Sequence, residues 1–259
     1  MRILFIGDIV GSPGRHLVLQ RLPQLLQERQ IDFTIANGEN VTNGAGLSLN
    51  HYQELIACGV DAFTMGNHIW NNKDIFRFID REERIVRPAN FHASLPGRTW
   101  QQFTVAGQTV VVFCMTGRVY MAAVDDPFAV ADEMLKQFPP EAVVFLDFHA
   151  EATSEKIALA WYLDGRVAAL AGTHTHVQTN DARVLPRGTG YLTDAGMTGP
   201  RDSVLGVDKD IVIQRFRTGL CPRFETAHGD LQFNGVIFEI DDERRCRSVE
   251  PVNFWEPAL

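Results

Sequence analysis

No CxxC pair, no apolar run of bilayer-spanning length and no low-complexity stretch occurs in this 259-residue sequence. The four cysteines, Cys58, Cys114, Cys221 and Cys246, stand far apart and read as free thiols rather than a disulfide framework. The opening MRILFIGDIVG is too short for a membrane span, for which roughly 20 apolar residues are needed. It also carries Asp8 within its apolar stretch and lacks a small-residue cleavage pattern. We expect it to be the buried first strand of a cytoplasmic protein that does not enter a membrane. Positive charge is scarce as well: 24 Lys and Arg against 32 Asp and Glu leave a net charge of −8. That balance argues against stable nucleic-acid binding, which depends on neutralising phosphates. It leaves open a small phosphate substrate held by metal ions. GxSxG and Walker A sequences are both missing, so a serine-nucleophile elbow or a P-loop has no support. Without a linker, a fixed-period repeat or a long charge run, one domain spanning 1–259 is the expectation.

The residues that are present suit a soluble α/β protein. Hydrophobic residues make up 45% and charged residues 22%, enough apolar side chain to bury a full core. Segments alternate in the βαβ manner. Strands are predicted at 2–7, 32–37 and 61–65. Between and after them the pattern predicts helices from Ser12 or Gly14 to Arg29, from Ser48 to Cys58 with Gly59 as C-cap, and over 71–80. WQQFTVAGQTVVVFCMT reads as two strands about a turn at Ala106-Gly107-Gln108. Helix 128–138, strand 142–148, helix 152–163 and strand 167–172 follow. Short strands are expected at 182–185 and 191–193, then an irregular loop, GMTGPRDSVLG, and a helix over 207–218. LQFNGVIFEID should pair with the tail in an antiparallel meander. The strands outnumber what one open sheet usually takes. The fold class is therefore α/β, a four-layer α/β/β/α sandwich of two mixed β-sheets flanked by helices.

Five apolar runs end in residues able to hold a hard or borderline metal. ILFIG leads to Asp8, FTIANG to Glu39 and Asn40, AFTMG to Asn67 and His68, VVFLDF to His149, and VAALAGT to His174 and His176. Each has an ordinary reading by itself. Asp8 could cap a helix, Glu39-Asn40 could belong to a polar loop, and His149 could be a satisfied core histidine. In an extended chain His174 and His176 would project to one side, though an isolated HxH is weak evidence. Jointly the donors are more telling, because ligands of α/β proteins bind outside the carboxyl ends of the strands, where loops converge.

The order GD, GEN, GNH, H and GxHxH resembles the calcineurin-like metallophosphoesterases, and more narrowly their bacterial YmdB-type branch. FIGDIVGSPGR at 5–15, NGENVTNGAG at 37–46, GNHIW at 66–70 and VRPANF at 86–91 carry the resemblance. GRVYMAAVDDPF at 117–128, DFHAEATSEK at 147–156, GTHTHVQT at 172–179 and TDAGMTGP at 193–200 extend it over nearly the whole chain. Three positions depart from the wider superfamily and match the branch. Val10 stands where a metal-binding His is common, Glu39 replaces the usual bridging Asp, and Ile69 follows GNH in place of an acidic residue.

The resemblance implies one metal held by Asp8, Glu39, Asn40 and His176. A second would take Glu39, Asn67, His149 and His174, with Glu39 bridging. Mixed carboxylate, amide and imidazole ligation suits Fe or Mn, with Zn or Co able to substitute. Asp147 and Asp194 are candidate partners of the histidines. Two such ions clamp phosphoryl oxygens and acidify a bridging water, whose hydroxide attacks phosphorus in line. His68, beside Asn67 but not required as a ligand, is assigned as general acid. The implied activity is phosphodiester hydrolysis of small cyclic nucleotides of the 2′,3′- or 3′,5′-cyclic AMP type. Substrate-binding residues are not assigned; Arg87, Arg118, Lys156 and Arg201 could meet phosphate oxygens or could be structural. Phosphomonoesterase activity, or a regulatory scaffold stabilised by metal, are the alternatives. Self-association into a homo-oligomer is suggested by the resemblance alone.

Overall fold

The computed structural model describes residues 1–220 and 222–258. In chain order its first half comprises β1 (Arg2–Ile6), β2 (Asp8–Ile9), α1 (Gly11–Glu28), β3 (Phe33–Asn37), α2 (Leu49–Ala57), β4 (Ala62–Thr64), a 3₁₀ turn (Lys73–Arg77), β5 (Ile85–Val86), β6 (Trp100–Val105) and β7 (Gln108–Thr116). The second half comprises α3 (Pro127–Leu135), β8 (Val143–His149), α4 (Thr153–Leu163), β9 (Ala169–Thr173), β10 (Arg183–Val184), β11 (Gly190–Leu192), β12 (Met197–Pro200), α5 (Lys209–Thr218), β13 (Leu231–Ile240) and β14 (Cys246–Glu256).

Period-two alternation of wholly apolar strands dictates the layering. In β1, Ile3 and Phe5 face one side and Leu4 and Ile6 the other, and all four are inaccessible to solvent. A strand buried on both faces needs cover above and below. On one side Leu4 and Ile6 pack with Leu17, Val18 and Leu22 of α1 and Leu55 of α2. On the other, Ile3 and Phe5 meet Val110, Val112 and Phe145 of a second sheet. That sheet repeats the pattern: Val111, Phe113, Leu146 and Phe148 turn outward to Ala131 and Met134 of α3 and Leu159 and Leu163 of α4. The result is the α/β/β/α sandwich expected from the sequence. Phe5 and Phe145 join the sheets at a ring separation of 5.0 Å, with Phe238 against Phe145 at 5.9 Å.

Both sheets are mixed. The first runs β2-β12-β13-β1-β3-β4-β5, with β14 also on β13; β1, β3, β4 and β5 are parallel. The second runs β10-β11-β9-β8-β7-β6, with β7, β8, β9 and β11 parallel and antiparallel strands at both edges. Parallel runs in each sheet therefore end side by side, which is what positions the site.

Some local expectations change. The stretch read as an irregular loop contains β12, fully buried, parallel to β2 and antiparallel to β13. Its Met-Thr-Gly-Pro sequence carries little strand preference; pairing on both edges decides the outcome. The helix expected over 71–80 is only a 3₁₀ turn, started by the Asn72 side chain accepting from the Asp74 amide. Helix α1 begins at Gly11 with no side-chain cap. Cys58, Cys114 and Cys246 are free thiols, as expected; Cys221 lies outside the described residues. None of the described helices is long and apolar enough to cross a membrane.

Because Phe145 fills the seam between the sheets, Phe145→Ala is expected to cost about 3–5 kcal/mol of unfolding free energy. Guanidinium denaturation would read this as a lower midpoint at unchanged slope.

Candidate metal centre

Each candidate donor sits where a parallel strand gives out. Asp8 follows β1, Glu39 and Asn40 follow β3, and Asn67 and His68 follow β4, all in the first sheet. His149 is the last residue of β8, and His174 and His176 follow β9, in the second sheet. Docking the two sheets brings these ends together.

The donors meet in two adjoining groups. In one, His149 Nε2 lies 2.8 Å from Asn67 Oδ1, 3.1 Å from Glu39 Oε1 and 3.0 Å from His174 Nδ1. Glu39, His149 and His174 offer ligand atoms all within 4.8 Å of one another. In the other, the Asn40 amide lies 3.3 Å from each of Asp8 Oδ1, Glu39 Oε1 and His176 Nε2. His176 Nε2 is also 3.7 Å from Asp8 Oδ1. Glu39 touches both groups. Acceptors so close together, with two carboxylates buried in their midst, have the chemistry of a cation site, and mixed oxygen and imidazole donors suit a transition metal. Turning the Asn40 amide over would add its oxygen to the second group.

His174 and His176 reach the site by a route that alternation does not describe. Both lie beyond the end of β9 in left-handed backbone, with φ of 95° and 63°. Rather than projecting together from an extended strand, they sit in a tight turn and face different groups. A non-glycine residue in this region is strained by about 1–3 kcal/mol. The restraint comes from Asp194, whose Oδ2 accepts from the Thr175 amide (3.1 Å), the Thr175 hydroxyl (2.7 Å) and Lys156 Nζ (2.6 Å). Lys156 also donates to the Thr173 carbonyl at 2.7 Å. Gly66 supplies a second constraint, since a Cβ there would lie 2.4 Å from Glu39 Oε2 and 2.5 Å from the His149 ring.

Beneath the donors lies a polar layer of which the sequence marked only Asp147. His149 Nδ1 meets Thr173 Oγ1 at 2.9 Å, and that hydroxyl donates to Asp147 Oδ1 at 2.6 Å. Asp147 Oδ2 accepts from Thr64 Oγ1 (2.6 Å) and Asn37 Nδ2 (3.0 Å). Asp147 thus orients His149 through Thr173 rather than by direct contact, leaving Nε2 toward the site. Asp194 contacts no imidazole; it holds the turn between two of them. The signal available for Asn37, Thr64 and Thr173 was a polar residue inside an otherwise apolar strand. Glu151, 3.2 Å from His174 Nε2, had no such signal.

Of the basic candidates, Lys156 is wholly buried and occupied by Asp194, and Arg87 is buried with a guanidinium bond to the Pro88 carbonyl. Arg201 lies over the Trp255 ring at 4.7 Å. Arg118 is exposed, one residue after Gly117, whose amide donates to the His149 carbonyl. His68 donates its amide to Glu39 Oε2 (2.9 Å), and its Nδ1 lies 2.8 Å from Asn71 Nδ2. Either orientation of the Asn71 carboxamide can pair with Nδ1: its nitrogen donates to the neutral ring, and its oxygen accepts from the protonated one.

Charge in the metal-free site is tightly coupled. Burial pushes Glu39 up, but the charge and hydrogen bond of His149 outweigh it and hold the carboxyl at about 2. Burial works against protonated His149, yet Glu39 raises it to about 9. Burial, then the His149 charge, lowers His174 to about 3. Burial lifts Asp147 to about 6 despite His149 and its hydroxyl donors, and raises Asp8.

The family model of the YmdB-like proteins matches residues 4–252. A Bacillus subtilis (strain 168) protein, described as a 2′,3′-cyclic-nucleotide 2′-phosphodiesterase, is 50% identical over 246 residues, covering 95% of this chain and 93% of its own. Among solved structures, a Thermus thermophilus protein described as hypothetical superposes with a TM-score of 0.95 at 40% identity, covering 99% of this chain and 100% of its own. A Mycoplasma pneumoniae protein described as a novel phosphatase superposes with a TM-score of 0.94 at 35% identity, covering 100% of this chain and 94% of its own.

The Glu39–His149 pair makes metal-free stability pH-dependent in a defined window. Glu39, lowered from 4.5 to about 2, stabilises the fold above pH 4.5 and loses that contribution as pH falls through 2. His149, raised from 6.5 to about 9, stabilises below pH 6.5 and loses that contribution as pH rises through 9. The contribution of this pair to metal-free stability is thus expected to be greatest between pH 4.5 and 6.5, as read by the difference in melting temperature from Glu39→Gln. Mn²⁺ must displace the His149 proton, so its affinity should instead climb up to pH 9, by about tenfold per pH unit. Calorimetry in buffers of differing ionisation heat would count the released proton.

Proposed function

The chain belongs to the YmdB-like family of calcineurin-like metallophosphoesterases, and on that premise we propose that it is a metal-dependent phosphodiesterase hydrolysing 2′,3′-cyclic nucleotides. The observation that carries this reading is the convergence of Asp8, Glu39, Asn40, Asn67, His149, His174 and His176 at the seam of the two sheets. The activity ascribed to the half-identical Bacillus subtilis protein supplies the substrate class. Two ions, Fe or Mn with Zn or Co as substitutes, would be held by the two donor groups with Glu39 between them. When bound, such a pair supplies Lewis acidity toward the phosphoryl group and a water acidic enough to serve as nucleophile near neutral pH. 3′,5′-Cyclic AMP is a second substrate type the same donors would accommodate. We place the protein in the cytoplasm as a single domain, with self-association open to test by sedimentation.

The chain's own residues divide the remaining work. Thr173 and Asp147 fix the His149 ring so that Nε2 faces the donors. Asp194 and Lys156 keep the histidine-bearing turn from relaxing. Glu39 Oε2 accepts the His68 amide and places that imidazole at the mouth of the site. As the acid, the His68 ring would be the imidazolium, its Nδ1–H held by the Asn71 carboxamide turned so that its oxygen accepts, which leaves the Nε2 proton for the departing oxygen. Water adds to phosphorus, the bond from phosphorus to the ribose 2′-oxygen breaks, and His68 supplies the proton that oxygen takes up. The product is a 3′-phosphomonoester.

Phosphomonoester hydrolysis is the second reading, favoured by the description of the Mycoplasma pneumoniae structure as a phosphatase. Under the scaffold alternative, turnover would be absent whatever the metal content.

Chelator-stripped protein given Mn²⁺ is expected to hydrolyse 2′,3′-cyclic AMP and to leave p-nitrophenyl phosphate largely intact; the reverse preference would transfer the assignment to a phosphomonoesterase. His68→Ala should lower kcat on the cyclic nucleotide by about 10²–10⁴ while keeping its metal. The loss should be much smaller on bis-p-nitrophenyl phosphate, whose leaving group needs little protonation. Equal losses on both would remove His68 from the acid role.

A further inference from the structure

Beside the donor cluster lies a cleft of about 610 Å³ whose lining is mainly apolar. This falls within the usual range of small-molecule sites, roughly 300–1,000 Å³. Asn67, Trp70, Phe91, Leu95, Thr116 and Met121 form its walls. It shares a wall with the proposed catalytic site: Asn67 reaches His149 Nε2 at 2.8 Å, and Thr116 pairs with His149 across β7 and β8. Trp70, Phe91, Leu95 and Met121 are each only partly buried, and Trp70 is stacked on Phe76 at 5.1 Å, which holds its ring in place.

The walls are built rather than incidental. Asn90 ties Thr116 to the far side of the cleft, donating to the Thr116 carbonyl (2.7 Å) and the Asp125 carbonyl (3.1 Å) and accepting from the Thr116 amide (2.9 Å). The loop leading to Met121 is clamped by Glu155, which accepts from the amides of Arg118 (3.0 Å) and Val119 (3.3 Å). The Trp70 indole Nε1 and the Thr116 hydroxyl, on two of the wall residues, are buried behind the cleft surface without a partner.

We infer that this cleft is the nucleobase subsite of the enzyme, and that it selects mononucleoside cyclic phosphates over diesters lacking a base. The inference rests on the phosphodiesterase reading. In a 2′,3′-cyclic nucleotide the base is carried on the ribose carbon next to the one bearing the 2′-oxygen, so it must lie within one sugar ring of the phosphorus. An apolar slot with aromatic walls matches the flat face of a heterocycle. None of the lining residues is Lys or Arg, and the titratable ones are His92 and Asp125, so the slot has no permanent cation for a second phosphate. That disfavours a linear dinucleotide on this side.

The test compares 2′,3′-cyclic AMP with the 2′,3′-cyclic phosphate of methyl riboside, which keeps the sugar and the ester but has no base. Wild-type protein is expected to favour the nucleotide in kcat/KM by about 10- to 100-fold, the scale of one base stacked on an aromatic side chain. Phe91→Ala and Met121→Ala should each shrink that preference several-fold, mainly through KM on the nucleotide. Met121 lies on a surface loop, so its variant keeps the test alive should Phe91→Ala not fold. Equal kcat/KM on the two substrates in wild type, or a preference untouched by both variants, would overturn the subsite. Adenosine alone provides a readout independent of turnover, by saturation-transfer NMR on the adenine protons. Adenosine contact that disappears in Met121→Ala would support the cleft even if neither ester were hydrolysed, a result that would instead remove the phosphodiesterase reading. Contact persisting unchanged in both variants would place the base elsewhere.

Discussion

Negative charge withheld from water is the constraint on which the rest of this structure depends. Asp8, Glu39, Asp147 and Asp194 are all at most 1% exposed and stand behind the ends of parallel strands. Taking a carboxylate out of water costs several kcal/mol, and the protein meets that cost differently for each. Asp194 receives the ammonium of Lys156, also fully buried. Asp147 receives two hydroxyls and an amide and is pushed toward the neutral form. Glu39 and Asp8 each accept one backbone amide, from His68 and His174, and otherwise meet imidazoles and the Asn40 carboxamide with no Lys or Arg against them, a pattern that favours bound cations.

The Lys156–Asp194 pair ties electrostatics to backbone strain. His174 and His176 both occupy left-handed backbone, and the residue between them is gripped by Asp194 at both its amide and its hydroxyl. Lys156 comes from α4 and closes the arrangement onto the last carbonyl of β9. A buried ion pair adds little stability by itself, but removing one partner strands the other charge. Its role here is geometric: it keeps a turn that the residues would not adopt by themselves.

The layered fold and the donor set were legible in the sequence because both rest on patterns that survive without tertiary knowledge. Apolar runs such as ILFI and VVFLDF announce interior strands, and the donors follow them directly. What was not legible depends on partners remote in the chain. Strand β12, with its glycine and proline, exists because β2 and β13 flank it. Lys156 reads equally as a phosphate contact or as a surface or structural ion-pair residue until the fold places Asp194 against it. The HxH pair suggests extended geometry, and only the Asp194 contacts show why it turns. Thr173 and Thr64 look like unremarkable β-branched strand formers, yet each donates to Asp147.

The strand ends that meet at the donor cluster have a consequence for synthesis of the protein. Asp8 and His176 bracket most of the chain, and β1 is held on one edge by β13, whose residues come near the carboxyl terminus. A nascent chain therefore cannot assemble the cluster in stages as it leaves the ribosome. The first-made donors, Asp8 and Glu39, wait for β9 and the turn that carries His174 and His176, and β1 waits for β13 to cover its edge. Any ion that needs the full donor set would therefore be taken up by the folded chain rather than by a nascent segment.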